Sequence, residues 1–454
     1  MSITATPTLS NDAREAYFGR VDAARGRSAE PAWLTARRAT AARQLLTEGF
    51  PTTRDEEFRF TNVAPIATKV YPAADVPPAR ASLDALLAEA TVPGLDAHEI
   101  VFVNGRFAPE LSSIDGIPAG VRLTSLASSI GADPALVESL WDRTIKFQMK
   151  GFTALNSALA TDGAILVVDP EVVVERPIHL LFLSSAPVPF GASVRNLVRV
   201  GHHAQVRIVE SYIGEAGQEY FTNAITEVSG ADESRVEYCR VQRESTSAHH
   251  ISGTHLHLGR GAVFASESLS LGGAIVRNDV GAVLDAEGIS CTLNGLYLVD
   301  GDRLVDNHTT IDHAKPHCES HELYKGIIED RGRGVFNGKI FVREDAQKTD
   351  AKQTNKVMLL SDDATIDTKP QLEIFADDVK CTHGATIGQL DETQMFYLKS
   401  RGIGEEHARS ILLHAFAAEV LDDIASDELR GRLEATLFTR LERDLADATA
   451  TVPA

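Results

Sequence analysis

Residues 254–273, "THLHLGRGAVFASESLSLGG", alternate apolar and polar side chains in two short runs that glycines separate. Such a period of two predicts β-strands, because successive strand side chains point to opposite faces of a sheet. Glycine between the runs predicts tight turns. The same pattern continues from about residue 155 to residue 388, as in "GAILVVDP" (163–170), "AQVRIVESYIG" (204–214) and "GVFNGKIFVRED" (334–345). We therefore expect more than 200 residues of short strands.

The length of this strand-rich stretch discriminates between β architectures. Many short strands at near-regular spacing are typical of a sandwich, a barrel or a β-solenoid. A single sandwich or barrel rarely needs so many residues, whereas a parallel β-helix accommodates them by stacking one turn on the next. No strict sequence repeat is visible. The pattern predicts a mainly β protein with a right-handed parallel β-helix (solenoid) core at residues 151–390.

Residues 1–150 are predicted to form a mainly helical region with a short β element. "DAREAYFGRVDAARG" (12–26) and "PAWLTARRATAARQLLTEGF" (31–50) carry apolar residues at helical spacing, and shorter helices are expected within 82–94, 125–130 and 134–151. "HEIVFVNGRFAPEL" (98–111) predicts a strand, an Asn-Gly turn and a second strand.

Residues 391–454 predict a C-terminal helical region. One expected helix is amphipathic, with an apolar stripe of Ile411, Leu412, Ala415, Phe416, Val420 and Ile424. Ser426 is expected to cap the last helix, whose leucines recur at every fourth position, at 429, 433, 437, 441 and 445. These helices either cover an end of the β-core or dock another protein, and the two roles are compatible.

Composition and charge narrow the class of protein. The chain has 454 residues, 43% of them hydrophobic, and its 64 acidic residues against 44 basic ones give a net charge of −20. This balance disfavours nucleic acid and anionic lipid as partners. The four cysteines are scattered, the N-terminal sequence lacks the pattern of a signal peptide, and there is no run of 18 apolar residues. We expect a cytoplasmic protein that does not span a membrane.

A cysteine and a histidine stand two positions apart in "VKCTHGATIG" (379–388), which is predicted to be a strand. Cys381 and His383 should therefore point to the same face of that strand. Thiolate and imidazole are good ligands for soft or borderline metals, but two ligands rarely make a stable site. A packed cysteine beside an ordinary hydrogen-bonded histidine remains the alternative.

Other candidate sites have weaker support. Five possible ligands crowd "NHTTIDHAKPHCESHELYKG" (307–326), namely His308, His313, His317, Cys318 and His321, but no zinc-finger spacing is matched and an irregular polar loop is favoured. His255 and His257 are typical of half-exposed strand residues. The acidic pairs Asp362–Asp363 and Asp377–Asp378 would allow carboxylate chemistry of the β-helix enzymes that act on carbohydrates, although solvated turns explain them more simply. Neither GxSxG nor a P-loop is present.

Residues 321–404 closely resemble the C-terminal core of the SufB/SufD family of iron–sulfur cluster assembly proteins. The resemblance rests on "YKGI", "GVFNGKI", "KTDAKQTN", "DTKPQLEIFADDVKCTHGATIG" and "FYLKSRGI", in the family's order. The N-terminal "FPTTRDEEFRFTNV" (50–63) fits the family more loosely. Within the family, the Cys-x-His-Gly-Ala-Thr pattern is similar to the SufD branch.

This resemblance implies a fold and a set of partners. It implies a right-handed parallel β-helix between helical terminal regions, pairing with a SufB-like subunit through the β-helix and with a SufC-like ATPase through the C-terminal helices. A complex of one SufB, one SufD and two SufC subunits would accept persulfide sulfur, build a nascent cluster and pass it to apoproteins. In this setting the chain is a non-catalytic scaffold. A homodimer is one state open to the chain alone, and the sequence does not decide its oligomeric state without partners.

The resemblance also implies a role for the Cys-x-His pair. In the family, the residues that match Cys381 and His383 lie at the SufB–SufD interface, and the histidine is associated with iron acquisition and nascent cluster ligation. Our hypothesis is that a SufB cysteine and glutamate complete a transient metal site with Cys381 and His383. A reduced flavin is a further cofactor implied for the assembled complex, but no dinucleotide fingerprint places it. A purely structural partner of SufB and an autonomous carbohydrate-acting enzyme are the alternatives.

Overall fold

The computed structural model describes residues 30–74 and 76–450, with side chains up to residue 441. The helix predicted at residues 12–26 lies outside this part of the chain. The described helices are α1 (Ala32–Glu48), α2 (Ala64–Ala67), α3 (Arg80–Ala90), α4 (Leu126–Ala132), α5 (Pro134–Leu140), α6 (Phe152–Leu159), α7 (Glu392–Ser400), α8 (Glu405–Leu421) and α9 (Asp427–Ala450), with 3₁₀ turns at Glu56–Phe58 and Pro109–Leu111.

Two long sheets form the body of the protein. The strands of sheet A are β1 (His98–Val103), β2 (Arg106–Phe107), β5 (Ile178–Ser184), β7 (Gln205–Gly214), β9 (Arg235–Arg243), β11 (Val263–Ser270), β13 (Ser290–Val299), β15 (Glu319–Ile328), β17 (Asp350–Leu359) and β19 (Lys380–Gly388). The strands of sheet B are β3 (Val121–Ser125), β4 (Ala164–Val168), β6 (Phe190–Val200), β8 (Tyr220–Gly230), β10 (His249–Leu258), β12 (Ile275–Leu284), β14 (Leu304–His313), β16 (Arg333–Val342) and β18 (Thr365–Ile374).

From β4 to β19, consecutive strands alternate between the sheets, and each strand pairs in parallel with the strand two places further along the chain. One strand from each sheet makes one turn, so the chain winds a β-solenoid of about 8 turns and confirms the predicted solenoid core. Stacked residues are separated by 27 positions at Ser266 and Leu293 but by 31 at Glu322 and Gln353. This variation in turn length explains why no strict repeat is visible in the sequence.

The inward side chains of both sheets fill the space between them, which we call the lumen. Phe102, Phe182 and Tyr212 occupy the same register position on β1, β5 and β7. Their rings stack with centroids 4.9 and 4.8 Å apart, close to the spacing of neighbouring strands. The solenoid therefore packs identical positions of successive turns on one another.

The N-terminal end of the solenoid is closed by antiparallel strands. β2 pairs with β1 across an Asn104–Gly105 turn in which both residues have positive φ, at 51° and 76°. This is the backbone that a type I′ hairpin requires, and it confirms the predicted strand–turn–strand element. In sheet B, β3 adds to β4 in the antiparallel direction.

Most N-terminal helices follow the sequence prediction, but α2 and α6 are not among the predicted helices, α6 lies at the start of the stretch predicted to form the solenoid, and one predicted helix is too long. Pro31 and Gly49 flank α1, as expected for a helix start and stop. The helix predicted over residues 134–151 ends at Leu140 instead. Glu227 of β8 accepts hydrogen bonds from the backbone N–H groups of Asp142 and Thr144, at 2.9 and 3.1 Å, and these bonds hold the chain in a turn.

The C-terminal helices pack against the outward face of sheet A. The predicted leucine stripe of α9 is confirmed, since Leu429, Leu433, Leu437 and Leu441 are buried against strand residues such as Leu269 and Leu296; the side chain of Leu445 lies outside the described part. Ser426 caps α9 through the backbone N–H of Leu429. The expectation that these helices cover an end of the β-core is wrong, because they lie along its side.

The predicted apolar stripe of α8 is partly wrong. Val420 and Ile424 are buried, but Ala415 is exposed, and Leu413 and Ala417 take its place in the core. α8 packs against two surfaces, sheet A and α9. The residues that it buries therefore differ from the stripe predicted for a helix with one contact surface.

Among the described helices, none combines the length and the apolar character needed to cross a membrane.

Burial of His255 predicts a measurable pH dependence of stability. His255 is 1% exposed, and burial followed by the nearby charge of Arg195 lowers its pKa to about 4. The unfolded chain binds a proton at this side chain as the pH falls through about 6.5, whereas the folded chain does not, so stability is lost on acidification. Between pH 7 and pH 5, we expect the free energy of unfolding to decrease by about 2 kcal/mol less in His255→Gln than in the wild type.

The melting temperature measured at both pH values checks this expectation. His257→Gln is the matched control, because His257 lies on the same strand and face but is only half-buried. Equal losses in the wild type and in His255→Gln would contradict the assignment.

Candidate functional site

The last turn of the solenoid is left open. Within the described part of the chain, β19 pairs only with β17, and β18 pairs only with β16. Each of these strands therefore presents a row of backbone N–H and C=O groups along its free edge. We call this surface, formed by β18, β19 and the turn between them, the open end.

Large apolar side chains are exposed at the open end and on the helix that follows it. They are Ile374 (40% exposed), Phe375 (64%), Ile387 (50%), Phe396 (73%) and Tyr397 (56%). A long strand edge with exposed apolar residues is a surface that soluble proteins normally protect. The combination is typical of an interface.

Cys381 and His383 lie on β19, as predicted. They are in register with Ala351 and Gln353 of β17, whose side chains are buried. Residues in register share a face, so the Cys-x-His pair faces the lumen at its open end. Cys381 is half-buried beside the apolar cluster that includes Ile340, and His383 is exposed.

Electrostatics keep the Cys381 thiol protonated in the isolated chain. Partial burial is the main cause that raises its pKa, and the Asp350 carboxylate raises it further, while a hydrogen bond from the Ala351 backbone acts in the opposite direction. The thiolate is the form that binds metals. Cys381 therefore needs a metal ion or a nearby positive charge to become a ligand.

Among the side chains described, those of residues 30–74 and 76–441, no three His, Cys, Asp or Glu side chains converge in a way that would hold a metal ion. The pair at the open end therefore offers two donors. Four-coordinate binding would need donors from outside the described chain.

The second candidate cluster does not assemble. The irregular loop favoured for residues 307–326 is wrong, since this segment forms the end of β14, a corner and β15. His308 faces outward from sheet B, where Asp306 and Glu57 raise its pKa against the opposing effects of burial and Arg277.

The other members of that segment point elsewhere. His313 lies in the lumen and shares a 2.8 Å hydrogen bond with Ser320, and the Cys318 thiol donates to the Ala286 carbonyl. His317 sits at a corner with φ of 60°, and His321 is half-buried on the outward face of sheet A. The five side chains thus occupy different faces of the solenoid.

Two further expectations are resolved by burial. His255 is buried beneath the segment that contains Phe147 and Met149, so the prediction that it is half-exposed is wrong. The pairs Asp362–Asp363 and Asp377–Asp378 are exposed residues in or beside turns, in agreement with the simpler interpretation.

Sequence reasoning missed polar residues of the lumen next to the open end. Gln353, Glu322 and Asn355 are all buried there, at 1%, 3% and 1% exposure. Gln353 and Asn355 lie in "KTDAKQTN", but the letters alone do not show that one of them stacks under His383. Only the register between β17 and β19 reveals it.

Comparison with known protein families gives two matches that together span most of the chain. Residues 21–180 match the SufBD protein N-terminal region, and residues 182–416 match the SufBD core domain of the SUF system for FeS cluster assembly. The second match covers the solenoid from β5 onward and includes Cys381 and His383.

Several curated proteins are similar over most of their length. The chain is 34% identical to an iron–sulfur cluster assembly SufBD family protein of Synechocystis over 90% of this chain and 92% of that protein. It is 31% identical to the iron–sulfur cluster assembly protein SufD of Escherichia coli over 88% of this chain and 91% of that protein. With SufD of Bacillus subtilis it shares 27% identity over 71% and 74% of the two chains.

Thiol labelling should single out Cys381. Cys239, Cys291 and Cys318 are buried, whereas Cys381 is half-buried on the edge strand. We expect iodoacetamide to modify one of the four thiols in the native protein, and its rate to keep rising above pH 9 because the pKa of Cys381 is raised.

Mass spectrometry after limited labelling locates the modified residue. Cys381→Ser should remove the native reaction while leaving three thiols reactive after denaturation. Rapid modification of Cys291 in the folded protein would show that the lumen is more accessible than the structure indicates.

Proposed function

This chain belongs to the SufBD family of iron–sulfur cluster assembly proteins, and we propose that it is a SufD-type scaffold subunit. In this proposal it pairs with a SufB-like subunit through the open end and docks a SufC-like ATPase through residues 391–454. The complex works in the cytoplasm, where it builds a nascent iron–sulfur cluster as cargo and passes it to apoproteins.

The observation that carries the proposal is the position of Cys381 and His383 on a free strand edge. A second solenoid placed edge to edge would satisfy the backbone groups of β18 and β19 and cover the exposed side chains of Phe375 and Ile387. The same contact would bring donors from the partner next to the Cys-x-His pair. Pairing and ligation are therefore consequences of one interface.

The chemistry of the donors suits a transient cargo. Thiolates are the usual ligands of iron–sulfur clusters, and imidazole replaces them in some centres with a changed reduction potential. We propose that a cysteine and a glutamate of the SufB-like subunit join Cys381 and His383. A shell with mixed ligands from two chains holds a cluster less tightly than four thiolates of one chain, which favours its release.

ATP hydrolysis is assigned to the partner, because the chain has no P-loop. The C-terminal helices are candidates for coupling, since polar contacts tie α8 to sheet A close to the open end. The buried Lys325 of β15 donates to the Phe416 carbonyl at 2.7 Å and pairs with Glu419, and Arg409 pairs with Glu329 at 2.5 Å. A displacement of α8 would act directly on β15, two strands from the edge of sheet A.

A charge at the open end should prevent pairing with the SufB-like subunit. Ile387→Asp places a carboxylate in the proposed apolar contact, where burial without a partner is unfavourable. We expect at least a tenfold loss of binding in a co-purification or calorimetric assay.

Val188→Asp is the matched control for this variant. Val188 is exposed to a similar degree, 56% against 50% for Ile387, but lies in the turn between β5 and β6, far along the solenoid from β19. If both variants bind the partner normally, the open end is not the pairing surface.

Loss of the imidazole should empty the site without disassembling the complex. His383 is exposed and supports no core packing, so His383→Ala should co-purify with the partners while anaerobic analysis shows iron and sulfide reduced severalfold. Thr382→Ala, the neighbour that points to the other face of β19, serves as the control. Normal iron and sulfide in His383→Ala would remove this residue from the site.

A further inference from the structure

One buried side chain lies directly beneath His383. Gln353 of β17 is in register with His383 of β19, so the two side chains project side by side on the lumen face of adjacent strands. Gln353 is 1% exposed, whereas the histidine above it is open to solvent. The glutamine amide therefore lies next to the proposed ligand, one strand further from the free edge of sheet A.

The orientation of this amide is fixed from below. The Gln353 Nε2 group donates a 2.5 Å hydrogen bond to Oε2 of Glu322, the buried residue one turn further into the lumen. Because the N–H₂ group of the amide points towards the Glu322 carboxylate, the amide oxygen Oε1 points away from that carboxylate. Gln353 Oε1 is buried and has no hydrogen-bond partner among the described residues. An unpaired buried acceptor is unfavourable, so an N–H group that reaches Gln353 Oε1 would be stabilised there.

A glycine in the neighbouring sheet leaves space for the Gln353 side chain. A Cβ atom on Gly338 of β16 would lie 2.1 Å from Gln353 Nε2. A larger residue at this position would therefore require the Gln353 amide to move. The position of Gln353 is therefore built by three strands, β15, β16 and β17.

We propose that Gln353 is a positioning residue for His383: when the exposed ring turns towards β17, Gln353 Oε1 accepts the N–H of one imidazole nitrogen, which directs the other nitrogen towards the partner across the open end. Histidine ligands commonly donate their second ring N–H to such an acceptor, which selects the tautomer and the ring orientation. This inference rests on the proposed function, because it assumes that His383 is a ligand.

Asn355 supplies a matched comparison within the same strand. It faces the lumen two residues after Gln353, is 1% exposed, and donates to the Tyr324 carbonyl while its own Oδ1 lacks a partner among the described residues. The residue above it on β19 is Ala385, which has no side-chain donor. Asn355 thus shares the burial and the polarity of Gln353 without lying under a ligand.

The first test is ¹⁵N NMR of the full-length chain with labelled histidine, with the His383 signals assigned from a His383→Gln variant. The wild type should show one dominant tautomer at His383. Gln353→Met, which keeps the side-chain length but removes the acceptor, should return the ring to the mixture seen for free histidine. Asn355→Leu should leave the wild-type pattern unchanged. If Gln353→Met does not fold, Gln353→Asn withdraws the oxygen by one methylene and should give the same change.

The second test measures Fe²⁺ binding by the complex with the SufB-like subunit. Gln353→Met should weaken binding by about 10- to 100-fold, the usual effect of removing the support of a ligand. Gln353→Glu combined with Glu322→Gln exchanges the amide and the carboxyl group, keeps an acceptor in register with His383, and should restore affinity to within about threefold, which a purely structural role of the amide would not produce.

A wild-type His383 with the tautomer mixture of free histidine, or equal effects of Gln353→Met and Asn355→Leu, would overturn the inference. Neither of those results would contradict the proposed function. Failure of the proposed function has a different signature, namely normal binding of the SufB-like subunit by Ile387→Asp.

Discussion

The structure depends on one constraint: each turn of a solenoid obtains its backbone hydrogen bonds from the turns on either side. At the N-terminal end both sheets terminate in short antiparallel strands, β2 and β3. At the other end, within the described chain, β18 and β19 have a neighbour on one side only. The two candidate metal ligands, Cys381 and His383, lie on that incomplete turn. The candidate metal site and the requirement for a partner therefore both follow from the unpaired backbone groups along this strand edge.

The open end is continuous with the buried interior of the solenoid. Positions that form the core in earlier turns, such as those of Ala351 and Gln353, become solvent-accessible at Cys381 and His383 because no further turn covers them. A ligand at this end can therefore be oriented from within the lumen while it faces another chain. The C-terminal helices add a connection along the side of sheet A, where Lys325 links β15 to α8.

Local features of the fold were predictable from the sequence, and features that depend on register were not. The shared face of Cys381 and His383 follows from the period of two in any strand, and Pro31 and Gly49 mark the ends of α1 because their backbone preferences act locally. The position of Gln353 under His383 depends on the length of a whole turn, which varies along the solenoid, so no local pattern reveals it. His255 was expected to be half-exposed because alternation cannot show that another segment covers the outward face of sheet B.

The central claim is that this chain contributes a ligand to a cluster that a sister subunit completes. Pulsed electron paramagnetic resonance of the reduced complex tests it directly, using ¹⁵N-histidine in this chain and an unlabelled SufB-like partner. If His383 is a ligand, the spectrum contains a ¹⁵N coupling to the cluster that disappears when His383 is replaced by alanine. A cluster without such a coupling, or with a coupling that survives the replacement, would contradict it.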